Sequence, residues 1–491
     1  MYKAYVTHVT NIRPAANADR LNACEVFGNT TIIDKTITED TLVLYLPSDG
    51  QISVEFGEKN NLFRRKDDAG NNVGGFIDPD KRNITAIRLR GNRSDGLVLP
   101  ISCLNYCYAH GDASVELRAG DVIDGLVNGH EICCKYIPRS NKSVRISGGN
   151  KTRKHKAPTA PLFKEHADTE QLAYNLGVFK TGDEIEISLK LHGTSQRTGY
   201  LPILQGYADT WPCRVGNAFR HIMRKMGYYH GEDVHDGKPI YDWGYVSGTR
   251  RTVLEDYDGG YYGSNEFREQ HSKIFEGKLW KGETVYYEVV GFTTSGAPIM
   301  ASASNAKLQD KEFIKQYGKE TVFSYGCKPD VGCWRDIQTD EIIPQSDIYV
   351  YRMTITNEDG FTVEYTPDFM RYRCEQMGIK TVPVMWKGTI PEVIDYVALT
   401  ERGEETDELV PVAVDAGQWI KEKAECFYDG PDPIGKTHVR EGVVVRIVNR
   451  PKFTAYKHKN FSFKVLSNIA VADAEASGAT EGMSEDILAE M

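Results

Sequence analysis

The chain has 491 residues, 40% of them hydrophobic and 10% aromatic, a composition that excludes a disordered chain and suits two or three folded domains at about 150 residues each. Its formal net charge of -10 argues against indiscriminate nucleic-acid binding, because that affinity comes from lysines and arginines displacing phosphate counterions. No run approaches the length of a membrane span, and Met1 to His8 hold no apolar targeting core, so a cytoplasmic protein with no membrane partner is expected.

Residues 1–125 read as short strands broken by turns: Ala4 to Thr10, Thr31 to Ile33, Thr41 to Leu46, Ile84 to Leu89 and Gly96 to Leu99. That cadence predicts a small barrel. Arg88, Arg90 and Arg93 stand close to Gly91 and Gly96, where backbone and cations together can receive a phosphate. The stretches Ala18 to Leu21 and Ile87 to Leu97 resemble the OB-type modules of tRNA-binding proteins and of one group of RNA ligases. From residue 126 to 160 a linker follows, and between Lys135 and Lys156 it carries Lys135, Arg139, Lys142, Arg145, Lys151, Arg153, Lys154 and Lys156 without one acid. Such a run fits a phosphate backbone or a solvated spacer equally well. The ten cysteines are scattered without paired CxxC spacing, which favours reduced thiols over a zinc site.

Residues 161–470 alternate strands with helices such as Thr366 to Met377 and Trp419 to Cys426, and residues 471–491 form an acidic tail. The most informative segment is Glu184 to Ser195. Ile185, Ile187, Leu189 and Leu191 alternate with Glu186, Ser188, Lys190 and His192, so Lys190 and His192 are expected on one face, at a strand end before Gly193. A lysine there is well placed to be a nucleophile. Further segments follow in order: Val246 to Arg251 with paired Arg250 and Arg251; Val285 to Gly291 with Glu288 in an apolar run; Ile348 to Met353 with Tyr349 and Tyr351; Glu441 to Arg446; and Tyr456 to Phe461 with Lys457 and Lys459.

Lys190-Leu191-His192-Gly193 and this ordered set resemble the covalent nucleotidyltransferases, the superfamily of RNA ligases, DNA ligases and capping enzymes, and the His-Gly-Thr form is most similar to the RNA ligase 2 branch of phage-like enzymes. The resemblance implies an α+β chain: an N-terminal OB-like β-barrel, then a nucleotidyltransferase domain with antiparallel sheets and flanking helices. It implies an ATP- and Mg2+-dependent RNA ligase joining 3′-OH and 5′-phosphate ends of RNA, in a duplex nick or tRNA, during RNA repair. Lys190 would carry AMP, and Gly193, Ser195, Arg250 or Arg251, Lys457 and Lys459 would contact nucleotide. Glu288 and Glu441 would serve the metal, Tyr351 would stack on the base with Tyr349 in reserve, and His192 would orient the lysine or touch nucleotide.

The chain departs from the pattern it resembles: Ser195 stands where Asn is usual, Leu189 where Glu is frequent, and the arginine motif lies far from Lys190. Gly430 to Thr437 satisfies GxxxxGKT, but its two prolines and the strand-like His438 to Val448 speak against a phosphate-binding loop opening a helix. A non-catalytic RNA-binding protein on a ligase-like fold, a capping-type guanylyltransferase and a DNA ligase are the other readings.

Overall fold

The computed structural model describes residues 2–66, 73–137, 157–166, 169–228, 237–254, 257, 262, 264–330, 335, 342–399 and 405–477. The basic run from Arg139 to Lys156, the end of the acidic tail and most of Tyr257 to Ser264 lie outside them.

In the first block, strands Leu97–Pro100, Val43–Leu46, Ala4–Thr7 and Val122–Ile123 lie side by side in that order. Thr10–Pro14, Leu21–Val26 and Asn29–Asp34 make a separate antiparallel sheet. Val43–Leu46 is buried on both faces: Leu44 and Leu46 join a core with Phe56 and Leu104, while Val43 and Tyr45 join another with Cys24 and Ile33. The strand therefore has a core on each side, and among the described residues no ring of strands closes into the expected barrel. The strand expected from Ile84 to Leu89 also splits, because Asn83–Ile84 pairs with Gly50–Ile52 whereas Ile87–Leu89 pairs with Asn92–Ser94.

The second block is mixed α and β, with two large, mostly antiparallel sheets beside the two-stranded pairs Ala303–Ser304 with Glu320–Thr321 and Val393–Leu399 with Glu405–Ala413. One runs Glu170–Gln171, Thr454–Lys459, Gly442–Ile447, Glu184–Lys190, Val384–Thr389. The other runs Val253–Leu254, Pro239–Gly248, Thr194–Tyr207, Glu283–Gly291, Ser346–Thr356, Thr362–Glu364. Helix Ala416–Tyr428 covers the first sheet, packing Ile420 and Ala424 against Ile185, Ile187, Val443, Val445 and Ile447. Each such side chain contributes about 1.5–3 kcal/mol by leaving water. The alternation around Lys190 thus has a direct cause: its apolar face lies under a helix, and the other face is left for chemistry. Helix Pro367–Met377 is capped by Thr366 and ends at Gly378, whose φ of +69° suits glycine; its Met370, Cys374 and Met377 pack on the second sheet with Val285 and Met353.

The two blocks are in contact. Tyr174 stacks on Tyr5 at 4.7 Å and meets Phe27 edge-on at 5.4 Å. Lys464 pairs with Asp95 at 2.5 Å and Arg88 with Asp310 at 3.0 Å, while Arg93 lies over the Phe461 ring at 5.2 Å. Two of the three arginines that the sequence offers to phosphate therefore sit at this junction, and the third, Arg90, donates to the Asn17 carbonyl. Helix Phe461–Ser477 continues into the acidic tail, where Asp473 pairs with Lys307. No helix follows the GxxxxGKT stretch; Val439 bridges back to Pro431 and strand Gly442–Ile447 begins soon after, which removes the phosphate-loop reading. Among the described residues no helix is long and apolar enough to cross a membrane.

Candidate active site

Strand register builds one wall of the site. Lys190 lies opposite Gly442, which lies opposite Lys459; Ser188, Val444 and Lys457 form the next row, and Glu186, Arg446 and Ala455 the row beyond. Lys190, Ser188, Glu186, Val444, Arg446 and Ala455 line a cleft. Gly442 needs its φ of +151° and has the His458 carbonyl 2.0 Å from where a Cβ would stand, so only a glycine brings these strands together here.

After Lys190 the chain crosses to the second sheet through Leu191, His192 and Gly193. Gly193 N–H donates to Glu288 Oε1 at 3.2 Å. A Cβ at Gly193 would meet the Val289 carbonyl at 2.3 Å and Glu288 Cγ at 2.9 Å, which explains a glycine at this position. Ser195 follows, lies opposite Glu288 in register, and its hydroxyl bonds the Tyr351 hydroxyl at 2.8 Å. Glu288, Tyr351 and Arg250 complete the opposite side of the cleft.

At the end of the first wall Glu441 is 2% exposed and accepts Lys190 Nζ at 2.9 Å and Lys459 Nζ at 3.3 Å on the same oxygen, Oε1. Burial alone would raise its pKa, but Lys190, then Lys459 and His192, outweigh that and hold it at about 2. Its other oxygen, Oε2, is buried without a hydrogen bond and stands 3.7 Å from His192 Nδ1.

Several sequence assignments become specific. Arg250 lines the cleft, whereas the carbonyl of Arg251 accepts from Arg197. Tyr351 lines the cleft, whereas Tyr349 is 6% exposed and donates to Asp347. Lys457 is one row from Lys459 on the same face of the sheet. The strand ends at Lys190, so alternation no longer governs His192, whose Nδ1 stands 3.7 Å from the carboxylate that binds Lys190. Its backbone N–H donates to the Tyr325 hydroxyl at 2.6 Å, and its ring stands edge-on to Phe323 and Phe463 at 4.7 and 4.8 Å. Burial, aided by Lys190 and Lys459 and opposed by Glu441, lowers its pKa to about 3, so the ring is neutral.

Sequence reasoning missed four contributors. His166 lines the cleft, and its N–H donates to the Arg250 carbonyl at 3.1 Å. Phe453 and Arg446 line it too, with the Arg446 guanidinium 5.0 Å from the Phe453 ring. Arg197, 1% exposed, donates to the carbonyls of Phe163, Lys164, Thr249 and Arg251, tying both flanking segments to the arginine turn. Of these only Arg446 carried a signal, by sharing the alternation of Gly442 and Val444.

The donors also bear on metal binding. Among the described residues no three His, Cys, Asp or Glu side chains converge in a metal-binding group. The orphaned Glu441 Oε2, with Glu288 across the cleft, still fits a hard cation that keeps much of its water and takes one or two carboxylates.

No family model matches the chain, and no curated protein matches it. Among solved structures it is similar to a mutant of Naegleria gruberi RNA ligase with ATP and Mn, at 15% identity and a TM-score of 0.49 over 94% of this chain and 98% of that one. It is similar to another mutant with ATP and Mn, at 14% identity and a TM-score of 0.48 over 94% and 98%. The same ligase with PPi gives 15% identity and a TM-score of 0.47 over 94% and 97%.

Proposed function

We propose that the protein is an ATP-dependent RNA ligase that seals 3′-hydroxyl and 5′-phosphate ends in RNA repair. The observation that carries this reading is the pair of lysines, Lys190 and Lys459, on one buried carboxylate oxygen of Glu441 at a cleft that also holds Arg250, Glu288 and Tyr351.

The chemistry asks for positioning and charge neutralisation. Lys190 leaves its ion pair, sheds a proton and attacks the α-phosphorus of ATP; an N–P bond forms, the bond to the β-phosphate oxygen breaks and pyrophosphate departs. A 5′-phosphate oxygen of the RNA then takes the AMP, breaking the N–P bond and freeing Lys190. Finally a 3′-hydroxyl attacks the 5′-phosphorus, and AMP leaves as the phosphodiester forms. Lys459, Lys457 and Arg250 neutralise the phosphates during these steps, Arg250 through its planar fork. Tyr351 stacks on the base, with Ser195 fixing its hydroxyl. Mg2+, held through Glu441 and Glu288, supplies further charge neutralisation when bound. Residues 161–470 would be the catalytic unit, with 1–125 gripping the RNA and 126–160 lying along its backbone.

The test is incubation of the purified protein, freed of prebound AMP, with α-labelled ATP or GTP and Mg2+, then denaturing electrophoresis and acid treatment. An acid-labile label from ATP, lost in Lys190→Ala, supports the ligase reading. Label from GTP instead would mark a capping-type guanylyltransferase, and no label from either would leave a non-catalytic RNA-binding protein.

A further inference from the structure

We infer that His166 is a specificity-determining residue: its Nε2–H donates to a ring nitrogen of the nucleotide base that stacks on Tyr351, and Arg352 is the positioning residue that fixes the ring for this contact. The inference rests on the nucleotide site proposed above and assigns within it a residue that no motif marks.

The argument begins with the tautomer. Arg352 Nη1 lies 3.3 Å from His166 Nδ1, and a guanidinium only donates, so Nδ1 accepts and the ring proton resides on Nε2. Arg352 is itself locked: its Nε donates to both oxygens of Glu364 at 3.0 Å and its Nη2 to Oε2 at 2.9 Å. A charged, bidentate anchor of this kind holds its remaining nitrogen in place. Glu364 also meets Arg446 at 3.5 Å, so the support for His166 reaches the floor of the cleft. From the other side the Arg250 carbonyl holds the His166 backbone.

The ring is then confined by aromatics. Tyr351 stands 5.1 Å away at 63°, Tyr286 5.6 Å away, and Phe453 6.1 Å away. His166 is 9% exposed and what remains open belongs to the cleft. With Nδ1 committed to Arg352, Nε2 is the nitrogen left to serve a ligand there.

Electrostatics separate a base from a phosphate as that ligand. Burial first, then Arg352, Arg250, Arg197 and Lys190, push the His166 pKa well below its ordinary value, so the ring is a neutral donor among cations. Phosphate is already served by Arg250, Lys457 and Lys459 in the reading above, and an uncharged N–H adds little to it. A neutral, aimed donor beside the stacking ring suits a ring nitrogen of a purine, where one hydrogen bond discriminates by direction.

The test measures equilibrium binding of ATP and of its 1-deaza, 3-deaza and 7-deaza analogues without divalent cation, alongside the labelling assay, in wild type, His166→Ala, His166→Gln and Arg352→Gln. His166→Ala is expected to weaken ATP binding about 10- to 100-fold while the labelling rate at saturating ATP changes less than about threefold. One analogue should show the same loss in wild type and no further loss in His166→Ala. His166→Gln, which keeps a donor amide, should recover part of the affinity, and Arg352→Gln should lose discrimination among the analogues. Equal affinity ratios for all four nucleotides in wild type and His166→Ala would overturn the inference, even if ATP labels Lys190. Coupling to one analogue in a protein that never takes label would uphold the contact and overturn the ligase reading instead.

Discussion

Tyr351 and Ser195 share a hydrogen bond of 2.8 Å between their hydroxyls, reaching across the intervening Glu288 strand. Ser195 thus anchors the tip of the ring that faces the cleft. Tyr351→Phe should raise the ATP concentration for half-maximal labelling about 3- to 10-fold, the worth of one partly buried hydrogen bond. Ser195→Ala should match it, and the double variant should be little worse, because both remove one interaction. Tyr351→Ala, which removes the ring itself, should cost more than either. Labelling against ATP concentration distinguishes these cases.

Glu441 gathers two lysines, and its loss should act on chemistry and folding differently. Lys190→Ala should abolish labelling while leaving the melting temperature within a few degrees, since Lys459 still pairs with Glu441. Glu441→Ala leaves two partly buried ammonium groups without their carboxylate, and should both suppress labelling more than about 100-fold and lower stability by about 3–5 kcal/mol. Thermal melts run beside the labelling assay check both; undiminished labelling in Glu441→Ala would remove that residue from the site.

The neutral histidine beside Glu441 sets an acid limit on stability. His192 has a folded-state pKa of about 3 against an ordinary value of 6.5, so between those values the unfolded chain binds the extra proton. Stability contributed by the neutral ring is complete above about pH 6.5 and falls as pH drops toward 3, at about 1.4 kcal/mol per unit. Glu441, held at about 2 against an ordinary 4.5, adds its own loss of stability as pH falls below about 4.5, so the histidine is read in the part of the window above that value. Urea melts from pH 7 to 4 should show the decline, and His192→Asn should flatten it; an unchanged slope in the variant would assign the loss to other buried histidines.

Away from the cleft, Glu283 is 0% exposed and binds Arg373 through Oε1 and Oε2, both at 2.8 Å, with the Tyr365 hydroxyl donating at 3.1 Å. Arg373→Met strands that carboxylate in the core beneath the second sheet. A loss of about 3–5 kcal/mol is expected, read as a lower urea midpoint, with labelling per folded molecule unchanged below the transition.

The walls of the cleft were legible because strand alternation and side-chain chemistry coincide there. Ile185 and Ile187 lie under helix Ala416–Tyr428, Leu189 and Leu191 pack with Phe323 and Phe463, and Lys190 and Lys459 meet at Glu441 through register. His192 shows the limit of the same logic: period-two reasoning fails once the strand ends at Lys190. His166 and Phe453 lie in coil, where no periodicity reports on position, and they reach the cleft only through tertiary packing. The first block misled for a related reason. Short alternating strands fit a closed barrel or open sheets alike, and the choice rests on which strands pair, which alternation does not report.

Arg197 carries a last consequence. Sixty positions separate Lys190 from Arg250, and that chain runs out along Thr194–Tyr207, through helix Trp211–Lys225, and back along Pro239–Gly248. By fastening the Thr249 and Arg251 carbonyls beside those of Phe163 and Lys164, one buried guanidinium closes this excursion at its root. Arg250 therefore keeps its station however long the excursion grows, and helix Trp211–Lys225 is free to change in length or content over evolution without being felt where the nucleotide sits.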